Sequence, residues 1–341
     1  KQIDNKAIQA VEKIESVKNE IEVIEEVSPK KILFDDDYDR KFVYDFQQYR
    51  KRPEYEADFL NLISGLDAPS REMVVRILRR VDLVEGTEGE SLDIFTPEEQ
   101  SILRDRQRRI KEIYKVSEEC YCFEQYMLPV NNFAMSVFMD AHGLCCVNDV
   151  NMRRIQNEDI IDAGGFIGDS LLILSPLTNK KVYSFEAVGD HLSLMQKTIA
   201  LNGIQNAVPV KAGLSNKKEK LEIFRYGRGS SFGNIITQDN IPIKTTEMVQ
   251  CVTLDEYASE NNLQVGLIKV DIEGFEQQFL EGAKKIIFQQ RPIMLLSIYH
   301  NAEDFFKIKP LIESWKLGYK FKIYKGIDQR ISVDTILVVQ P

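Results

Sequence analysis

From Asp159 onward, short apolar runs alternate with amphipathic ones, and this rhythm constrains the fold more than any other feature of the chain. Ile160-Ile161-Asp162 closes a short strand, and a Gly-rich stretch and an apolar helix follow it. Residues 182–186 read as a second strand with a helix over 192–201, and residues 208–214 as a third strand. Residues 267–272 make a fourth, with an amphipathic helix over 275–288, and residues 293–299 a fifth, with a helix near 302–315. Residues 319–324 and 335–339 read as closing strands. Alternation of this kind places the region in the α/β class, as a mainly parallel sheet with helices on both faces. Such sheets bind ligands at the carboxyl ends of their strands, near the point where strand order reverses.

The first 150 residues read as a helical accessory region, and residues 151–341 as the α/β domain. Ile3, Ala7, Ala10, Ile14, Val17, Ile21 and Ile24 repeat in alternating four- and three-residue steps, a heptad stripe over about residues 1–27. A stripe that narrow must pack on something, either a second copy of the chain or its own globular body. Residues 30–56 read as an irregular connector. Helices are expected over 57–66 and 71–83, the second with Asp67 and Pro69 at its start. Thr96-Pro97-Glu98-Glu99 fits a capping box that opens a charged helix to about Val116. A composition of 43% hydrophobic and 28% charged residues suffices for a real core. The net charge of -9 argues against a nucleic-acid partner, which needs a basic stripe. No apolar run approaches the length of a membrane span. The five cysteines show no Cys-x-x-Cys spacing and read as reduced thiols of a cytoplasmic protein.

The motif with most chemistry is Asp162-Ala163-Gly164-Gly165-Phe166-Ile167-Gly168-Asp169-Ser170, directly after a strand. Its glycines permit a tight turn and bring backbone amides close to a ligand. The spacing is Gly-Gly-x-x-Gly headed by an acid, not the Gly-x-Gly-x-x-Gly that seats a pyrophosphate. Asp162 and Asp169 suit a ligand with a cationic amino group and a sulfonium, which is S-adenosylmethionine (SAM). Glu186, closing the next strand, is placed to accept two ribose hydroxyls. Asn202 follows the next helix, and the turn at Gly213 is where an adenine ring would rest. The cofactor-binding set is therefore Asp162, Gly164, Gly165, Gly168, Asp169, Ser170, Glu186, Asn202, Gly213 and Asp271.

Lys269-Val270-Asp271-Ile272-Glu273-Gly274-Phe275-Glu276, with Leu280-Glu281-Gly282-Ala283 after it, resembles the signature of the FkbM family of SAM-dependent methyltransferases. The Gly-rich turn, Gly229-Ser230-Ser231 and Val252-Thr253-Leu254-Asp255-Glu256 resemble it too, so the likeness covers about residues 159–339. The resemblance implies a Rossmann-like class I methyltransferase sheet and methyl transfer to hydroxyls of sugars or related small molecules. It assigns Asp162, Gly164, Gly168 and Glu186 to the cofactor, and Asp271, Glu273 and Glu276 to the edge of the active centre. Relatives often carry a further histidine in the closing strands; Tyr324-Lys325-Gly326-Ile327 has none, which leaves the substrate class open.

An alcohol is a poor nucleophile at neutral pH, so a proton acceptor is expected beside it. His300, at a strand end, and Asp271 compete for that role, with Glu273 positioned to assist either. Glu273 and Glu276 could also hold a divalent ion with Asp271, but no ligand spacing fixes one, and no metal is assigned. Lys269 reads as packing or as the partner of a nearby acid. Residues 221–226 and 248–253 could pair as a hairpin whose intervening loop closes over the site. Two other functions use the same features: a nicotinamide-dependent oxidoreductase, disfavoured by Asp162, and a non-catalytic scaffold assembled through the N-terminal helix.

Overall fold

A computed structural model describes residues 31–34, 37–87, 90–226, 229–232 and 245–341. The heptad stripe over about residues 1–27, and self-association through it, lie outside the described residues. Among the described residues four helices come first: α1 (Asp37–Tyr49), α2 (Tyr55–Ile63), α3 (Ala68–Val84) and α4 (Pro97–Ile110). Local chemistry sets their starts. Asp67 accepts from Ser70 N at 3.0 Å to cap α3, and Thr96 and Glu99 close the expected capping box at α4. The connector expected over 30–56 instead contains α1. Phe42, Val43, Phe46 and Tyr49 recur at helical spacing and are buried, although the charged residues between them hide the period.

The helix expected to reach Val116 stops at Ile110, and β1 (Tyr114–Ser117), β2 (Cys120–Phe123) and β3 (Tyr126–Leu128) form an antiparallel meander. Short helices α5 (Met135–Phe138) and α6 (Asp149–Ile155) lead into the sheet. Its elements are β4 (Asp159–Ala163), α7 (Asp169–Leu174), β5 (Val182–Phe185), α8 (Gly189–Asn202) and β6 (Ala207–Val210). The third strand expected over 208–214 is two strands. The chain turns at Ala212, whose N–H bonds Val210 O at 3.0 Å, and β7 (Gly213–Leu214) joins a separate sheet with β8 (Glu219–Tyr226), β9 (Gly229–Phe232) and β10 (Thr245–Val252). β8 and β10 pair antiparallel, as the hairpin pattern implied.

The main sheet resumes with α9 (Leu254–Glu260), β11 (Val265–Val270), α10 (Glu276–Gly282), α11 (Lys284–Gln290), β12 (Ile293–Ser297), α12 (Ala302–Ser314), β13 (Lys320–Tyr324) and β14 (Ile336–Gln340). The single helix expected over 275–288 breaks at Ala283, beside Gly282, where any side chain would lie 2.0 Å from Ser215 O. The strand order is β13-β14-β12-β11-β4-β5-β6. The strands from β12 to β6 pair in parallel, and β14 runs antiparallel between β12 and β13. Winding proceeds from β4 outward to β6, then returns to the other side of β4 with β11. The crevice at the carboxyl ends of β4 and β11 is therefore the switch point. β11, β12 and β14 are buried along their whole length, as covered strands must be. No helix among the described residues is long and apolar enough to cross a membrane.

Candidate active site

The Gly-rich turn follows β4 and packs directly on the end of β11. Gly164 adopts a φ of 81°, and a side chain there would lie 1.8 Å from Asp271 O. Asp271 N donates to Ala163 O at 3.0 Å, so the turn and the Asp271 loop are one surface. Glu186 directly follows β5: its Oε2 accepts from Phe166 N at 2.8 Å and its Oε1 from Val188 N at 2.7 Å. His191 Nδ1 stands 3.6 Å from Glu186.

Asp162 is fully buried and turned inward. One oxygen accepts from Ser184 Oγ at 2.7 Å, and the other lies 3.2 Å from Lys269 Nζ. Lys269 also donates to Gly164 O at 2.7 Å. The sequence reading aimed Asp162 at a cationic ligand, whereas the structure aims it at a lysine, the ion pair that had been one reading of Lys269. Burial works against the charge on Lys269, but Asp162, Asp271 and Asp169 outweigh it and hold its pKa above the usual lysine value.

Asp169 and Ser170 begin α7 and are buried beside this pair. Burial pushes the Asp169 carboxyl up to about 6. Ser170 Oγ lies 2.9 Å from His142 Nε2. His142 sits at a φ of 51° in a 3-10 turn, Ala141–Cys146. Burial, with Lys269 nearby, takes it down to about 3, so it is a neutral imidazole at any ordinary pH. Nothing local in the sequence ties His142 to a motif 28 residues later. Asn202 does not face the turn. Its carboxamide brackets Met127, accepting from the amide at 2.9 Å and donating to the carbonyl at 2.7 Å, and so ties α8 to β3. Gly213 belongs to β7, where it pairs with Cys251.

The second half of the site comes from the ends of β11 and β12. Glu273 (φ 57°) and Gly274 (φ 96°) reverse the chain after Asp271, which returns Glu276 to the strand ends. Glu276 is fully buried, and its Oε1 accepts from Ile272 N at 3.0 Å. His300, after β12, inserts between these acids. Its Nδ1 lies 3.0 Å from Glu276 Oε1, and its Nε2 lies 3.2 Å from Asp271 Oδ1 and 3.7 Å from Glu273 Oε2. Tyr299 Oη donates to Asp271 Oδ1 at 3.3 Å.

Burial disfavours charge on His300, yet Glu276, Asp271 and Glu273 outweigh it and raise the imidazole well above 6.5. Burial alone would raise Asp271 too. His300 and Lys269 reverse that and hold its carboxyl below the ordinary range. Beside this cluster opens a polar cavity of about 480 Å³, lined by Gly274 and by amides and acids including Gln277, Gln278, Asn301 and Glu303. The structure thus brings His300, Asp271 and Glu273 together as the sequence reading grouped them. Glu276, grouped with Asp271 and Glu273 in the sequence, joins them, and Tyr299 is added to the same network.

Residues 162–321 match the methyltransferase FkbM domain family. Among solved structures, methyltransferase FkbM from Methylobacillus flagellatus KT is similar at a TM-score of 0.52 and 17% identity, over 83% of this chain and 58% of that one. The chain therefore spans little more than half the length of that relative. An rRNA methylase from Streptococcus thermophilus (TM-score 0.33, 12% identity, 61% of this chain and 96% of that one) is a more distant likeness. So is precorrin-6y C5,15-methyltransferase from Geobacter metallireducens GS-15 (TM-score 0.35, 10% identity, 61% and 91%). No match is found among curated proteins.

Proposed function

Residues 162–321 form an FkbM methyltransferase domain, and on that premise we propose that the protein transfers a methyl group from SAM to a hydroxyl of a carbohydrate or related small molecule. The observation that carries this reading is the contact between the Gly164 turn and Asp271, which joins a ligand cradle to a cluster of proton-accepting groups at one switch point. The turn suits SAM: a side chain at Gly164 or Gly168 would strike Asp271 or Met195, so both glycines let the turn close tightly on β11 and α8, and Glu186 supplies a carboxylate at the end of the next strand.

SAM supplies an activated methyl group with a good leaving group. The chain must align an oxygen with it and take up the proton. Asp271, half-buried and ionised, is placed to accept a hydrogen bond from the acceptor hydroxyl and fix its line of attack. The released proton passes to Glu273, whose carboxyl is pushed up to about 7 by burial and by Asp271 and Glu276 beside it. The cavity beside Gly274 supports a hydroxyl-rich acceptor, since side-chain amides and carboxylates offer both donors and acceptors.

Calorimetric titration of SAM into the full chain tests the cofactor half, with Glu186→Ala as the control. Saturable binding, weakened at least tenfold by the substitution, is expected. A folded protein that ignores SAM would sink the reading. Transfer of labelled methyl groups to a panel of sugars then tests the acceptor class, and transfer only to amines or thiols would overturn it.

A further inference from the structure

The acids around His300 outnumber what one imidazole can neutralise. Asp271, Glu273 and Glu276 all lie within 3.7 Å of its ring nitrogens. One ligand atom each from Asp271, Glu276 and His300 can be chosen so that all lie within 4.8 Å of one another. That spacing suits a divalent cation, whose bonds to oxygen run about 2.0–2.6 Å and so place its ligands up to roughly 5 Å apart.

A second observation separates this group from an ordinary acidic cluster. Glu276 is fully buried, and while Oε1 takes the Ile272 amide, Oε2 has no partner among the described residues. Neither ring nitrogen of His300 reaches hydrogen-bond geometry with the carboxylate beside it, although the side chain is only 3% exposed. A buried carboxylate oxygen without a donor, beside an imidazole with poorly directed nitrogens, is unusual in a folded protein.

We propose that Asp271, Glu276 and His300 bind one divalent first-row metal ion, with Glu273 at the solvent side. Two carboxylates and one imidazole suit Mn²⁺ or Fe²⁺ better than Mg²⁺ or Ca²⁺, which prefer oxygen alone. The three ligands come from two strand ends and a helix start, all fixed by the sheet, so the site is held before the ion arrives. Asp271 is half-buried and Glu273 is partly exposed, which leaves one side open to a further ligand.

The metal site stands on this geometry alone; its role in transfer rests on the methyltransferase reading. In that role the ion binds the acceptor hydroxyl and makes its proton easier to lose. The O–H bond breaks, with its proton passing to solvent through Glu273. The oxygen lone pair forms the new O–C bond, and the C–S bond breaks with its electron pair retained by sulfur as S-adenosylhomocysteine.

The test uses Mn²⁺ added to the full chain after stripping with a chelator and desalting, with free Mn²⁺ read by electron paramagnetic resonance. One saturable site per chain is expected. Glu276→Gln and His300→Gln should each weaken it at least tenfold while leaving a normal thermal transition. Should one variant lose that transition, the other decides. No saturable Mn²⁺ binding by folded protein, or affinity that neither substitution moves, would overturn the site. Mn²⁺ binding without SAM binding leaves the metal site standing and removes the methyltransferase reading; SAM binding without Mn²⁺ does the reverse.

Discussion

Lys269 is a cation in the middle of a strand that is buried along its whole length, and it organises both halves of the site. It neutralises Asp162 and holds Gly164 O, which keeps the turn seated on Asp271. A charged residue inside an apolar strand is a signal that sequence can give; it left packing and an ion pair open, and the structure places Asp162 beside it. Which way Asp162 faces was not legible, because a residue at a strand end can turn toward the crevice or into the core. His142 was less legible still, since its partner Ser170 is distant in sequence. It nevertheless has a measurable consequence. A histidine of ordinary pKa 6.5 in the unfolded chain, held at about 3 in the folded one, binds its proton earlier when unfolded. Its contribution to stability is therefore whole above pH 6.5 and falls by about 1.4 kcal/mol for each pH unit below that, until the folded pKa is reached. His142→Asn keeps a polar group and tolerates the left-handed backbone. Urea unfolding at pH 7 and pH 4.5 should show the wild type losing about 2–3 kcal/mol more than the variant on acidification. Equal losses would show that His142 is not held neutral.

At the level of elements, helix starts were more legible than helix ends. The caps at Asp67 and Thr96 depend on a few adjacent residues, and both are present. Strands β4, β5, β11 and β12 announced themselves as apolar runs of the right length. Elements whose existence depends on a distant neighbour were not legible. β7 is two residues long and exists only because β10 pairs with it. α1 was hidden by its charged residues, and its buried face packs between α3 and α12. Phe46 meets Phe305 edge-on at 5.0 Å and Phe306 at 6.1 Å, while Tyr49 stacks on Phe306 at 4.8 Å. Phe46 is fully buried, so Phe46→Ala leaves a cavity that the rigid α12 cannot fill. A loss of about 3–5 kcal/mol in urea unfolding is expected. A loss under about 1 kcal/mol would mean that α1 is the loose connector its composition suggests.

For the molecule as a whole, the α/β class and the position of the crevice followed from the strand rhythm, but the relation of the N-terminal helices to the sheet did not. An amphipathic face states that something covers it, not what does. Here one core cluster runs through both regions and joins Phe46, Leu62, Val74 and Ile77 to Phe305, Phe306, Ile312 and Phe321. Polar contacts cross at the same places. Asp58 takes Lys307 at 2.5 Å, Ser70 Oγ accepts from Ile323 N at 3.0 Å, and the buried Lys309 donates to the backbone of Asn61 and Ser64. Without α2 and the residue after it, Lys309 loses both backbone acceptors and keeps Glu313. We propose that the helical region is a covering layer of the α/β domain, beside the boundary near residue 150 that the sequence suggests. Cooperative unfolding should reflect this. The full chain is expected to melt in one transition that SAM raises, since a ligand that binds only the native state stabilises all of it. A fragment of residues 151–341, followed by circular dichroism, should show no cooperative transition and no SAM binding. A fragment that melts cooperatively and still binds SAM would make the first 150 residues an independent module, and would move the search for their role from stability to partners.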